Sequence, residues 1–203
     1  HIDIVLYFIN QANPANPVTY RNAACGGDQI RRVHSRLTGN TSCYRHYMYE
    51  GIYSPLPDRI FFFLGHNDTV AFKETDFQKP QLSIQQVNEA FRQSIDMLKE
   101  NAPQAQFAIY SAVSTPQEVN ARMAKSLGYR FGIPAFEEAY NAAVAKIAED
   151  YHAQYIDLYT PMTKLEDKAR YFLPDGIHLA EPGQLLVAQL VLQTLANDTS
   201  TEK

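Results

Sequence analysis

The chain has 203 residues and a mass of 23.0 kDa, and its 45% hydrophobic and 20% charged residues exclude a disordered or fibrous protein. Its formal net charge of -4 at pH 7 provides no overall attraction for nucleic acid or for an anionic membrane surface, so we expect neither as a partner. No apolar run approaches the roughly 20 residues that a membrane-spanning helix requires.

The first half of the chain alternates between helical and extended patterns. A helix is predicted over residues 2–11, and the β-branched and aromatic residues of 18–22 (VTYRN) predict a strand. A second helix follows over 28–37. Residues 59–65 (RIFFFLG) predict a second strand, and the apolar stripe of residues 83–101 indicates the clearest helix of the sequence.

The second half continues the alternation. Residues 106–113 (QFAIYSAV) and 153–159 (AQYIDLY) predict strands, and residues 134–151 and 181–197 predict helices. The near-continuous apolarity of the strands is typical of a parallel sheet that is buried on both faces. We therefore predict one α/β domain over residues 1–203, a three-layer α/β/α sandwich whose functional site lies at the carboxyl ends of its strands.

Two of those strand ends lead into polar loops. Residues 22–28 (NAACGGD) follow the first predicted strand, and residues 65–68 (GHND) follow the second. Backbone N–H groups in such a loop can face an anion. Each loop alone also fits an ordinary strand-to-helix turn, in which Gly, Asn and Asp are common.

A third loop, residues 171–184 (YFLPDGIHLAEPGQ), precedes the last helix. It places Asp175 three residues before His178. In a turn at this spacing the carboxylate can accept a hydrogen bond from the imidazole Nδ1–H and leave Nε2 free as a base. The pair alone also fits a structural turn Asp beside an unrelated loop His.

These three motifs stand in the order of the SGNH, or GDSL-type, hydrolase family, which the sequence resembles over nearly its whole length. NAACGGD is similar to the family's second block, GHND matches its Gly-x-Asn-Asp block, and DGIH matches its final Asp-x-x-His block. YIDLYTPM is similar to the family's last strand and the segment after it. The resemblance implies a flavodoxin-like parallel sheet and a serine-type ester hydrolase.

The resemblance also implies roles for individual residues. It makes His178 the general base and Asp175 the residue that orients it. The side-chain amide of Asn67 and the backbone N–H of Gly27 become donors of an oxyanion hole, which stabilises the negative charge of a tetrahedral intermediate. Glycine suits this role because it lets the backbone approach the substrate closely.

Two neighbours of these residues, His66 and Asp28, are predicted to contact the substrate. We expect an acetyl or short acyl ester of a small molecule or carbohydrate, because residues 42–58 form a polar segment rich in Tyr and Arg and no apolar lid is evident. The implied chemistry needs no cofactor. No metal is expected either, since the six histidines show no metal-ligand spacing.

One family feature is absent from the 203 residues: the Gly-Asp-Ser block at the end of a first central strand. The predicted nucleophile is therefore a serine outside this sequence. Ser111 and Ser114 are alternatives on the correct edge of the sheet, but they lie one strand too far from the base. In the family's strand order the missing strand separates residues 18–22 from 59–65, and each buried backbone group that it leaves unpaired costs about 1 to 3 kcal/mol.

Two other classes of function remain open. One is a catalytically silent α/β binding module, or an inactive fragment of a hydrolase, that keeps the oxyanion pocket; the other is a phosphate-binding protein that uses the CGGDQ turn, although no P-loop or GxGxxG motif occurs. Cys25 and Cys43 leave one disulfide bridge open. The first residues lack the features of a signal peptide. The compartment stays open, with a secreted or periplasmic location favoured over a cytoplasmic one.

Overall fold

A computed structural model describes residues 1–198 of the chain, and its centre is a parallel sheet. The sheet contains β1 (Arg59–Phe62), β3 (Gln106–Tyr110) and β5 (Gln154–Ile156) in the order β1-β3-β5. A separate antiparallel ribbon pairs β2 (Ala71–Phe72) with β4 (Tyr129–Arg130). The α-helices of the described residues are α1 (Ile2–Ala12), α2 (Ile30–Leu37), α3 (His66–Thr69), α4 (Ile84–Asn101), α5 (Gln117–Leu127), α6 (Pro134–Tyr151), α7 (Tyr159–Thr163) and α8 (Glu181–Asp198).

Helices cover both faces of the sheet, as the alternation of side chains along β3 shows. Phe107 and Ile109 pack into one apolar cluster with residues of α2, α4 and α6. Ala108 and Tyr110 point to the other face and pack with residues of α1 and α8. The prediction of a three-layer α/β/α fold with a parallel sheet is confirmed.

The long helices form where the sequence carries both a start signal and an apolar stripe. Before α4, the Ser83 hydroxyl accepts a hydrogen bond from the Gln86 amide at 3.2 Å, and the Gln86 side chain accepts one from the Ser83 amide at 2.9 Å. This reciprocal cap satisfies two amides that have no partner within the helix. α6 begins at Pro134, whose missing N–H is not needed at a first helical position.

The strand predicted for residues 18–22 is wrong, because this segment has no regular structure and lies exposed beside α1. The backbone of Val18 bonds to a side chain instead of a strand: its amide donates to Asn10 Oδ1 at 2.6 Å, and its carbonyl accepts from Asn10 Nδ2 at 3.0 Å. A high β propensity is not sufficient here, since no strand within residues 1–198 lies next to the segment to complete a ladder.

β1 also differs from its prediction, because it pairs with β3 on one side only among the described strands. Phe61 and Phe63 remain 37% and 38% exposed, so burial on both faces is wrong for this strand. Helix α5 and the β2–β4 ribbon were not predicted.

Two further findings concern the chain as a whole. The two cysteines are unpaired in the described structure. Within residues 1–198 no helix combines the length and the apolarity needed to cross a membrane.

Candidate active site

A buried carboxylate joins the loop after β1 to the start of α2. Asp68 Oδ1 accepts a hydrogen bond from the Ile30 amide at 2.9 Å, and Oδ2 accepts one from the Gly65 amide at 3.1 Å. Burial raises the pKa of Asp68 to about 6, although both amides act in the opposite direction. The side chain therefore holds the segment that contains Gly27 against the segment that contains Asn67, across 38 residues of sequence.

The loop between them requires glycine at position 65. Gly65 has a φ of 128°, and a Cβ there would lie 2.8 Å from the Ala112 Cβ and 2.9 Å from the Tyr140 ring. Any side chain would force these neighbours apart. A second bond reinforces the loop, because Gln29 Nε2 donates to the Asn67 carbonyl at 2.7 Å.

Four of the predicted site residues lie together at this position. Gly27 and Asn67 line one open cleft of about 330 Å³. Asn67 also lines a smaller hollow of about 150 Å³ with Asp28 and His66. Gly27 has a φ of 76°, a left-handed conformation that glycine adopts without strain.

Asp28 is buried and forms an ion pair with Arg36. Burial raises the pKa of Asp28, and the guanidinium of Arg36 opposes that shift. One carboxylate oxygen is thus engaged in holding α2 against the loop, and the other is buried without a hydrogen-bond partner among the described residues. This environment suits a structural carboxylate at least as well as a group that contacts substrate.

Asp175 and His178 form the hydrogen-bonded pair that their spacing predicts. His178 Nδ1 lies 2.8 Å from Asp175 Oδ2, and Asp175 Oδ1 accepts bonds from the amides of Ile177 at 2.8 Å and His178 at 3.0 Å. Burial alone would raise the pKa of Asp175, but the imidazole and the two amides outweigh it and lower the pKa. Because Nδ1 faces the carboxylate, the other ring nitrogen is available as a base.

The imidazole of His178 is 74% exposed and lines neither hollow. It nevertheless interacts electrostatically with His66, whose pKa is lowered to about 4, first by burial and second by the charge of His178. Neighbouring contacts locate the pair: a Cβ on Gly176 would lie 2.7 Å from Val119 in α5, and Lys168 donates to Ser114 Oγ at 2.7 Å. Because Ser114 and Val119 follow the carboxyl end of β3, the Asp175–His178 pair lies at the end of the sheet where Asn67 follows the parallel strand β1.

A polar cluster next to His66 escaped the sequence analysis. His66 Nδ1 lies 3.6 Å from Glu137 Oε1. Glu137 is fully buried, and neither of its carboxyl oxygens has a hydrogen-bond partner among the described residues. Burial raises the pKa of Glu137 to about 8, and the charge of Lys168 acts in the opposite direction. Burial therefore favours the protonated form of Glu137 at neutral pH.

Ser111 and Ser114, which follow β3, both form hydrogen bonds within the protein. Ser111 Oγ accepts bonds from the amides of Leu158 at 2.8 Å and Tyr159 at 2.9 Å. Ser114 Oγ accepts a bond from Lys168 Nζ at 2.7 Å. Both serines are buried. Their hydroxyls hold local structure together and are not presented to a ligand in the open cleft.

Sequence signals for the overlooked residues differ. Asp68 stands in the GHND motif itself, so its position after Asn67 was a usable signal. Nothing marks Glu137, because an acidic residue in the first turn of a helix is ordinary.

Comparisons with known proteins identify the family and the fold. A model of the GDSL-like lipase/acylhydrolase family matches residues 7–186. No curated protein sequence matches the chain significantly. A lipase/acylhydrolase from Enterococcus faecalis has a similar structure, with a TM-score of 0.68 and 17% identity over 97% of this chain and 85% of that one.

Two esterases are also similar in structure. An acetyl esterase mutant with an acetate ion has a TM-score of 0.60 and 14% identity, over 98% of this chain and 91% of its own. A carbohydrate esterase family 3 protein from Talaromyces cellulolyticus has a TM-score of 0.53 and 14% identity, over 87% of this chain and 70% of its own. At such identities these structures show a shared fold.

Proposed function

Because the chain belongs to the GDSL-like lipase/acylhydrolase family, we propose that it acts as a serine-type hydrolase that removes an acetyl or short acyl group from an O-acyl ester. The observation that carries the proposal is the position of Gly27 and Asn67 on one cleft after β1, held by the buried Asp68 carboxylate, with the Asp175–His178 loop at the carboxyl end of the neighbouring strand β3.

In this mechanism His178 Nε2 removes the proton of the serine hydroxyl as its oxygen attacks the ester carbonyl, and delivers that proton to the alcohol that leaves. The imidazole then removes a proton from the water that cleaves the acyl-enzyme and returns it to the serine as the carboxylic acid is released. Asp175 keeps the proton on Nδ1 and stabilises the imidazolium that forms. The Asn67 side-chain amide and the Gly27 backbone N–H receive the negative charge of the carbonyl oxygen, and one such donor is worth about 3 to 4 kcal/mol of barrier. Asn67 supplies its donor without a competing positive charge.

We propose that the nucleophile is a serine on a segment that lies beside β1, on the side opposite to β3. Two observations support this proposal. Within the described residues β1 has β3 on one side only, and its end leads directly into the loop that contains Asn67. Ser111 and Ser114, in contrast, are buried and bonded to other groups.

A carbohydrate ester is the proposed substrate class. Tyr44 and Tyr47 are each 56% exposed on a loop that Arg21 ties to the segment before Gly27, since Arg21 donates to the carbonyls of Glu50 at 2.5 Å and Gly51 at 2.6 Å. Exposed tyrosine rings can stack on sugar rings. Two structural neighbours, an acetyl esterase and a carbohydrate esterase, support the same class.

Labelling of the natural protein with a fluorophosphonate, followed by peptide mapping, tests the mechanism. We expect one modified serine and no modification in the His178→Ala variant, because the hydroxyl is then no longer activated. An adduct on Ser111 or Ser114 would overturn the assignment of the nucleophile. A lack of both an adduct and turnover would instead favour the silent binding module.

The oxyanion role of Asn67 has a separate test. Asn67→Ala should lower kcat for 4-nitrophenyl acetate by about 10² to 10³, because one preorganised donor is lost. Asn101→Ala, at the exposed end of α4, is the matched control and should leave kcat unchanged. An unchanged kcat in Asn67→Ala would show that the amide does not bind the oxyanion.

A further inference from the structure

The open cleft beside Gly27 and Asn67 has a charge opposite to that of the whole chain. Of the ten described residues that line it, two are arginines and none is acidic, whereas the chain has a net charge of -4. Charges of one sign in a concave site attract ligands of the opposite sign. The cleft is therefore the part of the site most suited to an anion.

Hydrogen bonds connect both arginines to the proposed oxyanion residues. Arg31 Nε donates to Gln29 Oε1 at 3.0 Å, and Gln29 in turn donates to the Asn67 carbonyl. Arg32 Nη1 donates to the Gly27 carbonyl at 3.1 Å. Each guanidinium has five N–H donors, so several of them remain for a ligand. In the part of the chain that the structure describes, neither arginine forms an ion pair.

The acidic residue nearest to these arginines in the sequence does not neutralise them. Asp28 is buried and paired with Arg36, and the charge of Arg32 contributes only a smaller lowering of its pKa. Asp28 lines the smaller hollow and not the cleft. Arg31 and Arg32 therefore line the cleft without an acidic residue beside them in its lining.

Aromatic residues of the β2–β4 ribbon and of the position that follows it also line the cleft. They are Phe72, Tyr129 and Phe131. The rings of Tyr129 and Phe131 meet edge to face with their centroids 5.5 Å apart. Such rings pack on the flat face of a sugar or an aromatic ring.

We propose that this cleft binds the alcohol portion of the ester, and that this portion carries a carboxylate or phosphate next to a ring. The inference rests on the proposed function, because it places the ester carbonyl between Gly27 and Asn67. The ring of the alcohol then packs against Tyr129 and Phe131, and its anionic group accepts hydrogen bonds from Arg31 and Arg32. Guanidinium groups suit this role because their N–H groups match both carboxylate and phosphate.

The test measures binding and does not depend on catalysis. Calorimetric or NMR titrations compare 4-hydroxybenzoate and 4-hydroxyphenyl phosphate with the neutral 4-hydroxybenzamide. We expect each anion to bind about five- to tenfold more tightly than the amide, since two exposed charge contacts contribute about 1 kcal/mol together. The preference should shrink in 0.5 M salt. The tighter of the two anions identifies the natural anionic group.

Variants assign the preference to the two arginines. Arg31→Gln combined with Arg32→Gln should abolish it, and Arg31→Lys combined with Arg32→Lys should retain most of it, because charge is kept. Arg92→Gln is the control, since Arg92 pairs with Asp150 away from the cleft. Thermal melts verify that each variant is folded.

Two outcomes overturn the inference: equal binding of anion and amide by the natural protein, or a preference that persists in the double glutamine variant. A failure of the proposed function is visible separately, as an absence of 4-nitrophenyl acetate hydrolysis while the anion preference remains. Hydrolysis without any anion preference would reject the cleft proposal alone.

Discussion

Asp68 and Asp175 make the same kind of hydrogen bonds in two different environments. Each carboxylate accepts hydrogen bonds from two backbone amides and so fixes a loop of the site. The pKa of Asp68 is raised by burial, whereas the imidazole of His178 and the two amides lower the pKa of Asp175 against the effect of its burial. Equal numbers of amide bonds therefore do not decide the charge of a carboxyl group; its exposure to water and its further partners do.

This difference in environment suggests different roles. Asp68 stabilises the fold, and we propose that Asp175 takes part in the reaction. Asp68 is buried and connects two segments that are distant in sequence, so its replacement should mainly lower the free energy of unfolding. Asp175 lies at the surface beside an exposed imidazole, so its replacement should mainly lower the rate of the proposed reaction. Variants at the two positions test whether the roles of the two carboxyl groups are separate.

The largest expected effect is on catalysis by Asp175→Asn. An amide in place of the carboxylate can donate to the imidazole and favour the wrong tautomer, so kcat for 4-nitrophenyl acetate should fall by about 10³ to 10⁴. Asp76→Asn, at an exposed position outside the site, should leave kcat unchanged. If Asp175→Asn retained full activity, the division between the two carboxylates would collapse.

The next effect is on stability, and it should come from Asp68→Ala. The variant leaves the amides of Ile30 and Gly65 buried without acceptors, which should lower the free energy of unfolding by about 2 to 4 kcal/mol. Denaturant titration measures the loss. Asp175→Ala is the matched control and should lose less than about 1 kcal/mol, because water can reach its amides. Equal losses at the two positions would contradict the assigned roles.

Glu137 is a second buried carboxyl group, and its raised pKa should make the stability of the protein depend on pH. Its pKa is raised from 4.5 to about 8, so the folded protein keeps a proton that the unfolded chain has lost, and the free energy of unfolding should fall as pH rises between these values. His66, with its pKa lowered from 6.5 to about 4, gives the opposite slope below pH 6.5. In the interval from pH 6.5 to 8 the contribution of His66 fades, and the slope comes mainly from Glu137.

Over that interval we expect the protein to lose about 1 to 2 kcal/mol of stability through this group. Glu137→Gln should remove the loss, because the amide does not ionise. Glu118→Gln, at an exposed position in the first turn of α5, should leave the slope unchanged. A pH slope that Glu137→Gln does not alter would show that Glu137 is ionised in the folded protein.

Local signals made much of the fold predictable. The reciprocal cap at Ser83 and the apolar stripe behind it define α4 without any tertiary information. Proline at position 134 marks the start of α6 in the same way. The spacing of Asp175 and His178 was sufficient because both groups lie in one turn.

Features that depend on distant neighbours were not predictable. Residues 18–22 carry strand propensity, but a strand needs a partner, and their composition does not report whether one is adjacent. The bond between Asp68 and Ile30 spans 38 residues, and Glu137 meets His66 from another helix. Contacts of this kind arise from the packing of the layers and leave no local pattern.

The bridge from Asp68 to the start of α2 has a consequence for partial damage to the molecule. Since one side chain positions both the Gly27 and the Asn67 segments, heat or denaturant that releases one of them must also release the other. Molecules in which only one half of the proposed oxyanion pocket is in place should then be rare. Residual activity during inactivation would then be proportional to the fraction of molecules that are still folded. Each of these molecules would keep its full activity.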